Sequence, residues 1–252
     1  MPRGLRPGAV NLPNAITVGR ICVTPLIAVL PFIPSWEWRL VAFLLYVVAA
    51  VTDWVDGKLA RERNQVTDLG RLLDPLADKL LLVATFVPMY LLQGGGGWGF
   101  HTHLAGPVVP ELAQATWLRE SGREAFPFVL GTMTITLPLI VVLVVIGREV
   151  AMTAFRQYAA GRGIVISAIG SAKWKTGFQS VWVGSAYFWF FAATLATERV
   201  WLNLPWRIFA GVNAVVGVTT MTVAVVLTLW SVWLYGRRFA GPVARAGRGS
   251  AG

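Results

Sequence analysis

Apolar residues run along the chain in six stretches, each near the length at which a helix crosses a bilayer, about 20 residues. Their limits fall at 15–34, 38–60, 71–92, 127–158, 174–197 and 207–235. Pro25, Pro88 and Pro138 sit inside these stretches. Proline breaks soluble helices, but membrane helices tolerate it where neighbours satisfy the freed backbone groups. Residues 93–126, with four glycines at 94–97, read as a long loop between the third and fourth spans. There is no internal repeat and no second domain. The pattern predicts an all-α polytopic membrane protein with six transmembrane helices: one domain over 1–240 and a basic, unstructured tail at 241–252. The first span is too long and continuous for a cleaved signal peptide.

Composition agrees with that reading. The chain is 56% hydrophobic and 13% charged, with a mean hydropathy of +0.62. A soluble domain of 252 residues cannot hide so much apolar surface. A net charge of +10 would direct a soluble protein to nucleic acid. Here the basic residues flank apolar spans, so membrane topology accounts for them and no nucleic-acid partner is expected. The N-terminus, the 2–3 and 4–5 junctions and the C-terminal tail carry 17 of the 22 Lys and Arg, and the opposite side keeps Arg39, Arg119, Arg123, Arg199 and Arg207. The positive-inside rule then puts both termini and the 2–3 junction in the cytoplasm and the 93–126 loop outside. Trp36, Trp38, Trp98, Trp201, Trp206, Trp230 and Trp233 cluster near span ends, where interfacial anchoring explains them. A lone cysteine, Cys22, excludes a disulfide framework.

The 2–3 junction, TDWVDGKLARERNQVTDLGRLLDPLADK, changes the picture from topology to chemistry. Asp53 and Asp56 are three apart at the end of the second span, and Asp74 and Asp78 are four apart at the start of the third. Both spacings return a side chain to the same helical face. Two antiparallel helices can thus aim four carboxylates into one cytoplasm-facing polar cavity. Isolated at mid-bilayer, such groups would cost roughly 3 kcal/mol each. Cations are the natural remedy, and all-oxygen carboxylate sites suit Mg²⁺ or Mn²⁺. A pair of such ions forms a clamp for phosphoryl chemistry. By contrast, Asp68 reads as a solvated turn residue and the His101/His103 pair as plain loop. The small residues of GVNAVVG (211–217) read as helix packing or a dimer seam.

Asp53, Asp56, Gly57, Ala60, Arg61, Gly70, Asp74 and Asp78 fit D-x2-D-G-x2-A-R-x8-G-x3-D-x3-D without a gap. This resembles the signature of the CDP-alcohol phosphatidyltransferases, which displace CMP from a CDP-linked alcohol with another hydroxyl. The resemblance implies that Asp53, Asp56 and Asp74 hold two metal ions and that Asp78 joins the second and serves as base. Gly57 and Ala60 leave room for a flat nucleotide, and Arg61 can pair with its phosphates. Thr67 and Gly70 belong to the same donor side.

Further stretches resemble one branch of that family, the bacterial phosphatidylglycerophosphate synthases. NLPNAITVGRICVTP (11–25) carries Asn14, Thr17 and Arg20 at helical spacing, fit to line the nucleotide-phosphate side. GREVAMTAFRQYAAGRG (147–163) and GSAKWKTGFQS (170–180) supply Arg148, Arg156, Lys173 and Lys175. Arg148 and Arg156 are eight apart, about two helical turns. Taken singly, such basic residues at span ends are as readily topology signals or headgroup contacts. The resemblance implies a basic pocket for sn-glycerol 3-phosphate, with CDP-diacylglycerol as donor, membrane lipids around the protein and a homodimer as the common state. Within the family, cardiolipin or phosphatidylinositol-phosphate synthesis is the alternative. A cation transporter is the alternative from another class, since intramembrane carboxylates also mark ion pathways.

Overall fold

The computed structural model describes residues 12–62, 68–92, 127–130, 133–162, 171–199 and 203–249. Thr67 and the 93–126 loop with its two histidines lie outside them. Helix α1 (Leu12–Val29) passes into a 3-10 turn at Leu30–Phe32. Helices α2 (Trp36–Glu62) and α3 (Asp68–Leu92) follow. Next come an antiparallel hairpin of β1 (Pro127–Leu130) and β2 (Met133–Thr136), then α4 (Leu139–Ala160), α5 (Ser171–Glu198) and α6 (Leu204–Gly249).

The described chain is helical apart from that hairpin, which corrects the expected fourth span. Residues 127–158 do not form one helix. The first part pairs as strands, Pro127 opposite Thr136 and Leu130 opposite Met133. The sequence FVLGTMTIT is dense in aromatic and β-branched residues around a glycine, a composition that suits a short hairpin. Pro138 then caps α4 in an extended conformation, φ −65° and ψ 141°. At the other end of the chain, α6 runs on to Gly249, through most of the segment expected to be an unstructured tail. Asn203 starts this helix, its Oδ1 accepting the Trp206 N–H at 3.1 Å.

Helix α1 packs on α2 and α3, α2 on α5, and α5 on α6, while α4 bridges α3 and α6. Strand β1 rests on α5 and α6. Lipid tails are as apolar as leucine, so these helices are held by close packing and polar contacts rather than by escape from water. The core centres on Tyr187 and Trp182 of α5, both fully buried. Tyr187 stacks on Tyr46 at 5.6 Å, and Trp182 meets Phe86 edge-on at 4.8 Å. The Tyr187 hydroxyl lies 3.2 Å from the Ile27 carbonyl and 3.1 Å from that of Ala84. Each of these carbonyls is four residues before a proline, Pro31 or Pro88, which has no N–H to offer it. One hydroxyl from α5 thus serves the backbone of α1 and α3 where proline interrupts the ladder. Near the other end of α5, buried Arg39 donates to the Pro31 carbonyl at 3.0 Å and to the Thr194 hydroxyl.

Three helical segments, Asn14–Phe32, Leu73–Leu92 and Leu204–Arg237, are long and apolar enough to cross a membrane. Helices α2, α4 and α5 carry more of the charged and polar residues described next, and so depart from a plain apolar pattern.

Candidate active site

A cavity of about 420 Å³ opens between α2, α3, α4 and α5. On α2, Tyr46, Ala50 and Asp53 follow one another at spacings of four and three, so the core-facing stripe ends in a carboxylate at the cavity. On α3, Asp74, Asp78, Leu82 and Thr85 form the matching stripe. The structure therefore brings Asp53, Asp74 and Asp78 to one wall.

Helix α1 stands behind that wall. Thr17 donates to Asp74 Oδ1 at 2.9 Å. Arg20 Nη1 makes an ion pair with Asp53 Oδ1 and lies 3.4 Å from Asp78 Oδ1. The Arg20 side chain is 1% exposed, against 43% for Asp53 and 60% for Asp78. The guanidinium is therefore a buried support, while the carboxylates face the space a ligand would enter. Asn14 lies buried on the same face of α1, and Gly70 is buried in the first turn of α3; neither lines the cavity. Asp56, Gly57, Ala60 and Arg61 belong to the last turns of α2. Their side chains lie outside what the structure describes, as does that of Lys173 in the first turn of α5.

The opposite wall is basic. Arg148, Glu149, Thr153 and Arg156 reach it from α4, and Lys175, Thr176 and Gln179 from α5. Arg148 Nη1 donates to Glu149 Oε1 at 2.7 Å, and the Lys175 ammonium pairs with that same oxygen. Arg148 Nη2 donates to Ser231 Oγ at 3.0 Å, and Arg156 Nη2 to the Tyr235 hydroxyl at 3.3 Å. The Arg156 guanidinium also lies 5.7 Å from the Tyr235 ring centre, within cation–π range.

Sequence reasoning missed Ser231, Tyr235, Lys79 and Gln179, and saw Glu149 only as an acid next to Arg148 without a role in the site. Ser231 and Tyr235 are four apart on α6, a spacing visible in the sequence. In an apolar span, though, a serine and a tyrosine read as ordinary packing, and only the tertiary fold sets them behind the arginines of α4.

Among the described residues, no group of three Asp, Glu, His or Cys side chains closes into a metal-binding cluster. Arg20 occupies the gap between Asp53 and Asp78. The chemistry of the donor set nonetheless fits a hard divalent ion: the donors are carboxylate oxygens, with no thiolate or imidazole at this wall. The buried guanidinium marks where the carboxylates require positive charge.

A helical membrane protein with an acidic and a basic wall in one cavity is suited to binding phosphorylated substrates. The family model for CDP-alcohol phosphatidyltransferase matches residues 10–123. A Bacillus subtilis protein named CDP-diacylglycerol–glycerol-3-phosphate 3-phosphatidyltransferase is 31% identical over 188 residues, 69% of this chain and 75% of that protein. An Arabidopsis thaliana chloroplastic/mitochondrial protein of the same name is 28% identical over 90% of this chain. The cardiolipin synthase (CMP-forming) of Oryza sativa is 28% identical over 94%. The chain spans 62% and 60% of the lengths of these two plant proteins. It belongs to the CDP-alcohol phosphatidyltransferase family, whose members are generally divalent-metal dependent.

Proposed function

We propose that the chain transfers the phosphatidyl group of CDP-diacylglycerol to sn-glycerol 3-phosphate, giving phosphatidylglycerophosphate and CMP. The observation that carries this reading is the two-walled cavity: carboxylates from α2 and α3 face a basic cluster from α4 and α5 across one space. A nucleotide-linked donor and a phosphorylated acceptor need such opposed walls to meet without mutual repulsion.

In this reading Asp53, Asp56, Asp74 and Asp78 would hold two divalent ions, Mg²⁺ or Mn²⁺. Such ions would supply Lewis-acid polarisation of the diphosphate and charge neutralisation for the departing CMP. Arg61 pairs with the donor phosphates, and Gly57 and Ala60 leave room for the nucleotide. Asn14, Thr17, Arg20, Thr67 and Gly70 shape the donor side. Arg148, Arg156, Lys173 and Lys175 hold the acceptor phosphate. Asp78, exposed to the cavity, accepts the proton of the glycerol C1 hydroxyl. The hydroxyl oxygen bonds to the phosphatidyl phosphorus, the diphosphate bridge breaks there, and CMP leaves with the bonding electrons. The domain comprises 1–240, with six spanning helices, the cavity open to the cytoplasm, the 93–126 loop outside and a homodimer as the working unit.

The rice relative favours a second reading, cardiolipin synthesis, in which phosphatidylglycerol is the acceptor. That phosphodiester carries one charge, whereas three cations line the basic wall. The dianionic glycerol 3-phosphate matches them better. CMP release from CDP-diacylglycerol by the purified protein in detergent separates the acceptors. Release stimulated by glycerol 3-phosphate, and not by phosphatidylglycerol or inositol phosphate, is expected. Stimulation by phosphatidylglycerol alone would reassign the acceptor, and no release with any of them would remove the transferase reading.

A further inference from the structure

Among the described residues the basic wall contains one acid, and its placement sets the geometry of the rest. Glu149 Oε1 accepts from both Arg148 on α4 and Lys175 on α5. Two cations sharing one oxygen sit closer together than their repulsion would otherwise allow. Arg148 and Lys175 are 8% and 4% exposed, so neither can relax into open water. A lysine ammonium on a four-carbon stem has no fixed direction of its own, and the half-buried Glu149 carboxylate provides one.

Helix α6 secures the arginines from behind. The Ser231 hydroxyl donates to the Thr228 carbonyl at 2.7 Å, which leaves its lone pairs to accept Arg148 at 3.0 Å. Tyr235, 1% exposed, accepts from Arg156 and presents its ring to the same guanidinium. Cations anchored this way converge on the cavity as a fixed cradle, the arrangement by which binding sites keep ordering costs low.

We infer that Glu149 is a positioning residue for the acceptor phosphate: it gathers Arg148 and Lys175 into one anion cradle, with Ser231 bracing Arg148 and Tyr235 bracing the neighbouring Arg156 from α6. The inference rests on the acceptor reading of the basic wall given above. It predicts an effect opposite in sign to simple electrostatics. Neutralising Glu149 raises the net positive charge of the wall, and charge alone would then tighten a dianion. If Glu149 instead holds the cradle together, its loss loosens the dianion despite the added charge.

The test is steady-state titration of glycerol 3-phosphate and of CDP-diacylglycerol on the purified full chain, wild type and variants. Glu149→Gln is expected to raise KM for glycerol 3-phosphate about tenfold, the scale of one charge-assisted contact, with KM for CDP-diacylglycerol within about threefold of wild type. Glu149→Asp, which keeps the charge, recovers part of the loss. Tyr235→Phe retains the ring, removes only the hydroxyl bond to Arg156 and raises the same KM severalfold. Should Glu149→Gln not stay folded in detergent, Glu149→Asp, one methylene short of bridging Arg148 and Lys175, decides the matter by the same split between the two KM values. An unchanged or lowered KM for glycerol 3-phosphate in these variants overturns the positioning role. A wild-type protein that releases CMP without any response to glycerol 3-phosphate overturns the acceptor reading instead, so the two failures are distinguishable.

Discussion

At the scale of single residues, charge explains the site. Asp53, Asp74 and Asp78 line the cavity, and the buried Arg20 guanidinium behind them pairs with Asp53 and lies 3.4 Å from Asp78. A neutral amide cannot balance a divalent ion, so Asp56→Asn should abolish CMP release while the protein remains folded. Wild-type turnover by a well-folded Asp56→Asn protein would remove the metal assignment. On the basic wall, Arg156→Ala should cost roughly 1.5–3 kcal/mol of acceptor binding, a ten- to hundredfold rise in KM for glycerol 3-phosphate. A change confined to the CDP-diacylglycerol titration would move this residue to the donor side. The convergence of Asp53, Asp74 and Asp78 was legible in advance because the four-residue spacing fixes a helical face and adjoining ends of antiparallel helices meet; the Asp56 side chain lies outside the described residues. That α1 backs the same wall was legible only as the Thr17–Arg20 spacing. The partners those residues take, Asp74 and the Asp53/Asp78 pair, lie 33 to 58 positions away and come from tertiary packing.

At the scale of elements, the first, second, third and fifth apolar stretches became helices within several residues of the expected limits, and the sixth became α6 but runs on to Gly249. Apolar stretches of this length leave the backbone few other ways to satisfy itself in lipid. The fourth stretch is helix only from Leu139 onward, since apolar content alone does not distinguish FVLGTMTIT as strand from helix. Of the prolines read as tolerated breaks, Pro25 and Pro88 lie inside helices while Pro138 stands at the N-cap of α4; the device that serves Pro88, and Pro31 with it, was not legible. Tyr187 reaches the carbonyls that Pro31 and Pro88 leave without an N–H donor. Tyr187→Phe keeps the stacked ring and removes that hydroxyl, so it should lower stability by about 1 kcal/mol, the scale of polar contacts between membrane helices. The check is thermal unfolding in detergent, with KM for both substrates unchanged. An unaltered melting temperature would mean that the two carbonyls find other partners.

At the scale of the whole molecule, the helices are arranged so that two chemically opposite walls share one cavity: α2 and α3 bring acids, and α4 and α5 bring bases. Neither wall alone specifies the reaction. A carboxylate cluster by itself also fits a cation pathway, and basic span ends by themselves fit lipid headgroups. Activity should vanish on exhaustive chelation and return with Mg²⁺ or Mn²⁺; full turnover without divalent ions would leave the acidic wall without its assigned role. The claim that the walls work together is tested most directly by following labelled glycerol 3-phosphate into lipid. Purified protein is given CDP-diacylglycerol and radiolabelled glycerol 3-phosphate, and the label in the organic extract is counted against CMP released. The account predicts one labelled lipid for each CMP, with both lost together in Asp56→Asn. CMP release without label entering lipid would contradict it.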